Sequence, residues 1–191
     1  MSEAEPLLAR VAVVVVSYNT EAALRDTLHA VTRGGGAALE VVVVDNASGD
    51  GSAAMVHDTF PAVRLITEGV NHGFGAAANI AATATQREFL LFLNPDCGFP
   101  SAGVEELARR LVDDPGLGFA GPRIDLGPGR VDHACLRADP DPLGAALYFS
   151  RLTRLFPNSA RVNRYSLRHL DYDQEQELQA GTAACLMVRH G

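Results

Sequence analysis

The chain has 191 residues, of which 47% are hydrophobic and 20% charged, a composition typical of a single globular domain and not of a disordered chain. Its net charge of −7 disfavours a nucleic-acid partner or a polybasic membrane anchor. Three cysteines without metal-ligand spacing predict free thiols in a reducing compartment. The start of the chain does not resemble a signal peptide, and no apolar run approaches ~20 residues. We therefore expect a cytoplasmic protein without a transmembrane segment, with peripheral contact at the inner face of the membrane left open.

The first hundred residues alternate between short apolar runs and segments of helical period. Runs of β-branched and aromatic residues predict four strands: Val11–Val16, Val41–Val44, Val63–Ile66 and Phe89–Leu93. The segments that follow them predict four helices: Thr20–Val31, Gly51–Phe60, Gly75–Gln86 and Ser101–Asp114. Continuous apolar strands separated by helices are typical of a parallel sheet covered on both faces. The predicted fold class is therefore α/β, with three α/β/α layers.

The pattern weakens after Gly116. Leu117–Pro122 is consistent with one more strand, whereas residues 123–177 are rich in Pro, Asp and Arg and have little periodicity. Leu178–His190 returns to the apolar character of a strand. We therefore expect a variable region between two ordered ones.

Polar segments follow each of the four predicted strands. They are Ser17–Asn19, Asp45–Gly51, Thr67–Gly75 and Asn94–Asp96. Because ligands of open α/β sheets bind beyond the carboxyl ends of the strands, these segments predict one site at one edge. Carboxylates on two strands, Asp45 and Asp96, suit a nucleotide. One could accept a hydrogen bond from a base or ribose, and the other could hold a divalent cation such as Mg²⁺ or Mn²⁺.

A dinucleotide-binding fold is the main competitor, since it also places an acidic residue after its second strand. That fold requires the pattern G-x-G-x-x-G directly after the first strand, where this sequence reads VSYNTEAAL. The sequence also lacks a P-loop motif. A metal at Asp96 is then the simplest way to neutralise a diphosphate.

Four segments occur in this order along the chain: Val13–Leu28, Val41–Ser52, Asn71–Ala81 and Phe89–Asp96. Together they resemble glycosyltransferase family two, with the GT-A fold, and are nearest to its rhamnosyltransferase-like branch. The segment Ala180–His190 matches a later part of the family more loosely. The resemblance implies a single GT-A domain over residues 1–191, with a mostly parallel central sheet. Residues 10–122 would form the nucleotide-sugar-binding half, and residues 123–191 a variable, incomplete acceptor-side half.

The resemblance also implies a donor-nucleotide site. Its residues would be Val16, Ser17, Tyr18, Asn19, Asp45, Asn46, Asn71, Gly73, Phe74, Asn94 and Asp96. Tyr18 would lie near the base, Asp45 would bind the base or ribose, and Asp96 would ligate the metal. Asn94 departs from the family's Asp-x-Asp motif. From the residues alone, Asp45 could instead form an Asx-turn, Asp96 could cap a helix, and Tyr18 could be a half-buried ring.

The reaction implied is inverting, metal-assisted transfer of a sugar by a glycosyltransferase of hexosyltransferase type. The donor would be dTDP-rhamnose or a UDP-hexose, and the acceptor a hydroxyl of a cell-surface polysaccharide or glycolipid. The resemblance places the catalytic base beyond Gly191, so no catalytic residue is assigned. Two alternatives are a non-catalytic nucleotide-sugar-binding fragment and a nucleotidyltransferase. The latter is disfavoured because its glycine-rich, basic first loop is missing from the sequence.

A local basic cluster lies within the variable region. Its members are Arg151, Arg154, Arg161, Arg164 and Arg168. A solvated face is the simpler interpretation, because acidic residues soon follow. Contact with an anionic acceptor or membrane leaflet is the alternative.

Overall fold

The structure, a computed structural model, describes residues 6–35, 38–98, 101–128, 130–133, 135–139 and 141–191. Its strands are β1 Val11–Ser17, β2 Glu40–Asp45, β3 Arg64–Thr67, β4 Phe89–Leu93, β5 Phe119–Ala120, β6 Leu136–Arg137, β7 Ala180–Gly181 and β8 Cys185–Arg189. Its α-helices are α1 Glu21–Gly35, α2 Ser52–Thr59, α3 Phe74–Thr83, α4 Ser101–Asp113, α5 Pro142–Phe149 and α6 Leu152–Leu155. A short 3-10 helix, Leu7–Arg10, precedes β1.

The chain divides into two compact units. The sheet unit comprises the described residues up to Ala120 together with Ala183–Gly191, and the insert unit comprises Gly121–Thr182. The sheet unit contains six strands in the order β3-β2-β1-β4-β8-β5, and the insert unit contains the β6–β7 pair. Strands β1 to β4 are mutually parallel, whereas β8 is antiparallel to both β4 and β5. The predicted α/β class, with a mostly parallel central sheet flanked by helices, is confirmed.

The core of the sheet unit comes from its valine-rich strands. Val11–Val15 of β1 and Val41–Val44 of β2 are buried along their whole length. On one face, Ala77 and Ala81 of α3 pack against a cluster that includes Val14. Small alanine side chains allow the helix to approach the sheet closely. Burial on both faces explains why these strands read as continuous apolar runs and not as alternating ones.

Strand order places a topological switch between β1 and β4. The chain moves outward from β1 through β2 to β3, then returns past β1 to form β4. Right-handed crossovers put α1 and α2 on one face and α3 on the other. Helix α4, which follows β4, packs against α1, so the loops after β1 and β4 are neighbours. The carboxyl ends of the strands at such a switch are the usual ligand site of the fold.

Several predicted boundaries differ from the structure. The apolar run Leu178–His190 is two strands, β7 and β8, which belong to different sheets. The third predicted helix, Gly75–Gln86, begins at Phe74 and ends at Thr83. Helix α2 begins at Ser52 after Gly51, whose φ of 89° is a left-handed conformation that favours glycine.

The insert unit is built from short elements and polar contacts. Asn163 is fully buried, and its amide nitrogen donates to the carbonyl oxygens of Phe156, Pro157 and Ser159 at 2.7, 3.0 and 3.2 Å. The Ser166 hydroxyl lies 3.0 Å from Asn163 Oδ1. One side chain thus holds the turns that follow α6. Among the described residues of both units, no helix has the length and apolar composition needed to cross a membrane.

Candidate functional site

The carboxyl ends of β1, β2 and β3 lie in one row at the edge of the sheet. Ser17 pairs in register with Asp45, and Asp45 with Thr67. Side chains alternate along a strand, so Ser17 and Asp45 point to the face opposite α3. Ser17 and Asp45 are both buried, with only 4% of Asp45 exposed. A buried carboxylate next to solvent-facing loops is costly unless its oxygen atoms have partners.

Asp45 has a partner for only one of its carboxylate oxygens. Oδ2 accepts a hydrogen bond from the Ser48 backbone N–H at 3.0 Å, which is an Asx-type turn. Oδ1 is buried and has no hydrogen-bond partner among the residues that the structure describes. Ala47, inside this turn, has a φ of 67°. The turn therefore fixes the carboxylate while leaving one acceptor oxygen available.

Asn46 links the loop after β2 to the loop after β3. Its Nδ2 donates to Asn71 Oδ1 at 2.9 Å, and its Oδ1 accepts from the His72 N–H at 3.0 Å. Asn71 Oδ1 also accepts from the Gly73 N–H at 2.8 Å. Both polar atoms of the buried Asn46 side chain are thus used within the protein, so Asn46 positions the loop.

Gly73 and Phe74 form the entrance to α3. Gly73 occupies the position before the helix with a φ of 77°, and Phe74 is 42% exposed. The exposed ring and the helix start lie in the loop that Asn46 holds. On the same face as α3, Val16 packs against the valine–alanine cluster and is only partly exposed.

The loop after β1 is joined to the loop after β2. The Asn19 N–H donates to Ser48 Oγ at 3.0 Å, and the Gly49 N–H donates to Asn19 Oδ1 at 2.8 Å. Asn19 itself adopts a φ of 55°. Tyr18, immediately before it, is 50% exposed. The ring is therefore presented to solvent at the sheet edge.

Asp50 closes the same junction by contacting the starts of two helices. Its Oδ2 accepts from the Glu21 N–H at 2.9 Å, at the start of α1. Its Oδ1 accepts from the N–H and the hydroxyl of Ser52, at 3.0 and 2.5 Å, at the start of α2. The Ser52 hydroxyl bond and then the Glu21 backbone bond hold the pKa of Asp50 below its ordinary value.

The loop after β4 carries Asn94 and Asp96. The Asn94 N–H donates to the Ala184 carbonyl at 2.8 Å, and Asp96 is exposed. The hydroxyl of Thr27, on α1, is within hydrogen-bonding distance of the carbonyl oxygens of Pro95 and Cys97, at 2.7 and 3.0 Å. Thr27 is buried, and its contact fixes the loop that presents Asp96. The helical pattern of Thr20–Val31 does not reveal this contact.

The structure thus brings the predicted residues together in two sets. The loops after β1, β2 and β3 are connected by side-chain and backbone hydrogen bonds, and the loop after β4 is fixed separately to α1. Asp96 is a single exposed carboxylate. No group of three or more His, Cys, Asp or Glu side chains within the described residues is arranged to hold a metal ion.

The sequence profile described as Glycosyl transferase family 2 matches residues 12–158, which is most of the chain. The chain belongs to this family. The matched range contains every residue of the two sets just described. It also extends into the insert unit as far as the turn after α6.

Individual relatives are similar over part of their length. An uncharacterized glycosyltransferase of Haemophilus influenzae is 27% identical over 107 residues, which are 56% of this chain and 36% of that protein. The solved structure of the mannosyltransferase PcManGT from Pyrobaculum calidifontis, in complex with GDP-Man and Mn²⁺, is 28% identical. Its TM-score is 0.56, and the match covers 61% of this chain and 35% of that one. The chain therefore spans about a third of the length of these relatives.

A second solved structure supports the fold alone. S. aureus TarS in complex with UDP is 21% identical, with a TM-score of 0.54, over 70% of this chain and 39% of that chain. The architecture is thus shared with GT-A glycosyltransferases.

Proposed function

We propose that this chain binds a nucleoside-diphosphate sugar and takes part in transferring the sugar to an acceptor hydroxyl. The observation that carries the proposal is the buried Oδ1 atom of Asp45, which has no partner among the described residues. A buried acceptor normally has a partner, so an unpaired one at the ligand-binding edge of an α/β sheet calls for a donor from a ligand. A base N–H or a ribose hydroxyl supplies such a donor.

The surrounding residues suit the rest of a nucleotide. Tyr18, on the loop after β1, and Phe74, at the start of α3, are both exposed, and a base could stack on either ring. Ser17, Asn19, Asn46, Asn71 and Gly73 lie in the three connected loops, with Val16 at their base. All of them remain proposed donor-site residues, and Asn46 acts by holding the others.

Asp96 and Asn94 fit a metal held jointly with the donor. Mg²⁺ and Mn²⁺ are commonly bound by one or two carboxylates, with substrate phosphates and water completing the shell. One exposed carboxylate on a loop fixed by Thr27 meets that requirement, and it predicts that metal and diphosphate bind together. When bound, the cation stabilises the negative charge of the departing diphosphate.

The reaction proposed is inverting transfer to a hydroxyl of a glycan or glycolipid. The acceptor hydroxyl must lose its proton to a carboxylate base as it attacks. No residue of this chain is assigned as that base. We propose residues 10–122 as the donor-binding half and residues 123–191 as the acceptor side.

The donor is proposed from two lines of support. The rhamnosyltransferase-like resemblance favours dTDP-rhamnose or a UDP-hexose. PcManGT, solved with GDP-Man and Mn²⁺ and 28% identical, adds a guanosine donor and supports a divalent metal. The identity of the nucleobase in the donor is therefore the first thing to determine.

The test is calorimetric titration of the chain with dTDP, UDP and GDP, each with and without Mn²⁺. In Asp45→Asn, the amide oxygen can still accept from Ser48, but the amide nitrogen replaces the unpaired acceptor with a donor. We expect binding of the preferred nucleotide to weaken by roughly 10- to 100-fold, as for a lost hydrogen bond to a charged group. Asp96→Ala should abolish the effect of Mn²⁺. The control is Asp58→Asn, whose exposed carboxylate contacts His57.

Equal nucleotide binding by Asp45→Asn and the wild type would overturn the proposed donor site. Incubation with the matching nucleotide sugar and an acceptor glycan separates two outcomes. Transfer of sugar supports the enzymatic function for this chain, whereas donor binding without transfer supports the nucleotide-sugar-binding fragment.

A further inference from the structure

The insert unit contains a cavity of about 540 Å³ whose lining includes none of the residues proposed for the donor. Three arginines, Arg130, Arg137 and Arg168, line it together with one carboxylate, Asp132. Three positive charges and one negative charge leave a net charge of +2 around the cavity. In a chain whose net charge is −7, this is a local reversal of sign.

Two arginines of the insert unit outside the cavity are paired, whereas two that line the cavity are not. Arg123 pairs with Asp125 and Asp173, and Arg164 pairs with Asp141. Across the described part of the chain, the guanidinium groups of Arg130 and Arg168 form neither an ion pair nor a hydrogen bond. Their charge is therefore available to an anion.

Arg137 is held in place by its surroundings. Its guanidinium carbon lies 5.4 Å from the centre of the Tyr148 ring and 5.3 Å from that of Tyr165. One of its nitrogens donates to the His133 carbonyl at 2.9 Å. Two aromatic contacts and one hydrogen bond restrict the side chain, so less entropy is lost when it binds a ligand.

His133 adds a polar group to the wall. Its Nδ1 is buried without a hydrogen-bond partner among the described residues, as is the hydroxyl of Tyr172, whose ring lies 5.1 Å away. Burial, and then the positive charge of Arg168, lower the pKa of His133 below its ordinary value, with Asp132 opposing. The imidazole is thus neutral at pH 7 and can donate or accept one hydrogen bond.

The remaining wall is apolar and aromatic. Leu126, Val131 and Tyr148 line the cavity beside the arginines. Its volume is far larger than a bare oxyanion needs and falls in the range of small-molecule sites, roughly 300–1,000 Å³. One arginine guanidinium group can donate two parallel hydrogen bonds to the oxygen atoms of a phosphate.

We propose that this cavity binds a phosphate ester, with the phosphate between Arg130 and Arg168 and the organic group against Tyr148 and Leu126. Two unpaired arginines match a dianion in charge better than a monoanionic carboxylate. The proposal stands independently of the donor site. A soluble phosphate ester and a phospholipid headgroup share this chemistry, and the experiment separates them.

The experiment is calorimetric titration of the chain with phenyl phosphate and with inorganic phosphate, alongside sedimentation with phosphatidylcholine vesicles with or without phosphatidic acid. We expect Arg168→Gln and Arg130→Gln each to weaken binding by roughly 10-fold or more, as for a lost charge-assisted hydrogen bond. Arg161→Gln removes the same charge from an exposed site outside the cavity lining and should change binding less than about 2-fold, as expected for a solvated charge.

Each outcome decides the proposal. Phenyl phosphate binding that the cavity variants weaken, and that Asp45→Asn leaves unchanged, supports a soluble ester. Binding only to phosphatidic acid vesicles, weakened by the same variants, assigns the site to a headgroup. The proposal would be overturned if Arg161→Gln weakened binding as much as the cavity variants do, or if neither phenyl phosphate nor phosphatidic acid vesicles bound. Arg130 is exposed, so Arg130→Gln remains informative if Arg168→Gln fails to fold.

Discussion

The sheet unit and the insert unit are stabilised in different ways. In the sheet unit, all but one residue of each of β1, β2 and β4 is buried, and these strands supply most of the largest fully buried side chains. In the insert unit, the strands have two residues each and large apolar side chains are exposed, Phe149 at 81% and Leu155 at 72%. Its interior relies on hydrogen bonds around Asn163.

This contrast explains where binding chemistry can be located in each unit. A rigid sheet fixes the ends of its strands, so loops after neighbouring strands meet reproducibly and can hold a carboxylate such as Asp45. The insert unit uses ring and guanidinium contacts around Arg137 to shape its cavity. Apolar burial therefore positions one site, and polar contacts position the other.

The largest difference in the free energy of unfolding is expected between substitutions of one apolar side chain in each unit. Leu91 of β4 is fully buried, so Leu91→Ala should lower the free energy of unfolding by about 2–5 kcal/mol through lost burial and a cavity. Leu155→Ala, at a largely exposed site, should change it by less than about 0.5 kcal/mol. Urea denaturation followed by circular dichroism measures both. Similar losses in the two variants would contradict the contrast.

An intermediate effect is expected where the sheet unit uses a polar contact. Thr27→Val preserves shape but leaves the Pro95 and Cys97 carbonyls without their hydroxyl, which should cost about 1–3 kcal/mol. It should also weaken Mn²⁺-dependent nucleotide binding, since the Asp96 loop loses its anchor. The control is Thr32→Val on the same helix, whose hydroxyl donates to the Leu28 carbonyl of its own helix. If both variants bind nucleotide and metal like the wild type, Thr27 does not position the loop.

The smallest effect on the free energy of unfolding is expected for two carboxylates at helix starts, one in each unit. Asp50→Ala removes acceptors at the starts of α1 and α2, and Asp141→Ala removes the cap of α5, so each should cost about 1 kcal/mol. The pKa of Asp50 is lower in the folded chain than the ordinary 3.8. Its contribution is therefore present above pH 3.8 and is lost as the pH falls through the folded pKa.

Unfolding free energies of wild type and Asp50→Ala, measured from pH 7 down to pH 3, test this sign. The difference between them should be constant near neutrality and shrink below about pH 4, where the unfolded carboxyl has begun to take up protons. A difference that grows on acidification would show that the Asp50 hydrogen bonds do not stabilise the ionised form.

Much of the sheet unit could be predicted from local sequence. The run Phe89–Leu93 is β4 without change, and Val11–Val16 differs from β1 by one residue. Consecutive β-branched residues restrict the backbone to extended conformations and need burial on both faces, so the pattern is unambiguous. The two strands within Leu178–His190 could not be predicted in the same way. Apolar character does not reveal which sheet a segment joins or where a turn divides it.

The sequence by itself determined the α/β class, the four parallel strands and the set of polar loops that follow them. Only the tertiary structure decided how individual atoms are used. It leaves Asp45 Oδ1 without a partner among the described residues, whereas both polar atoms of Asn46 have one. It also shows that Asp50 and Thr27 hold loops in place. Strand propensity is a local property of the chain, whereas a hydrogen-bond partner is a neighbour in space, supplied here by residues 25 to 70 positions apart in the sequence. For the same physical reason, the arginine-lined cavity is visible only after folding.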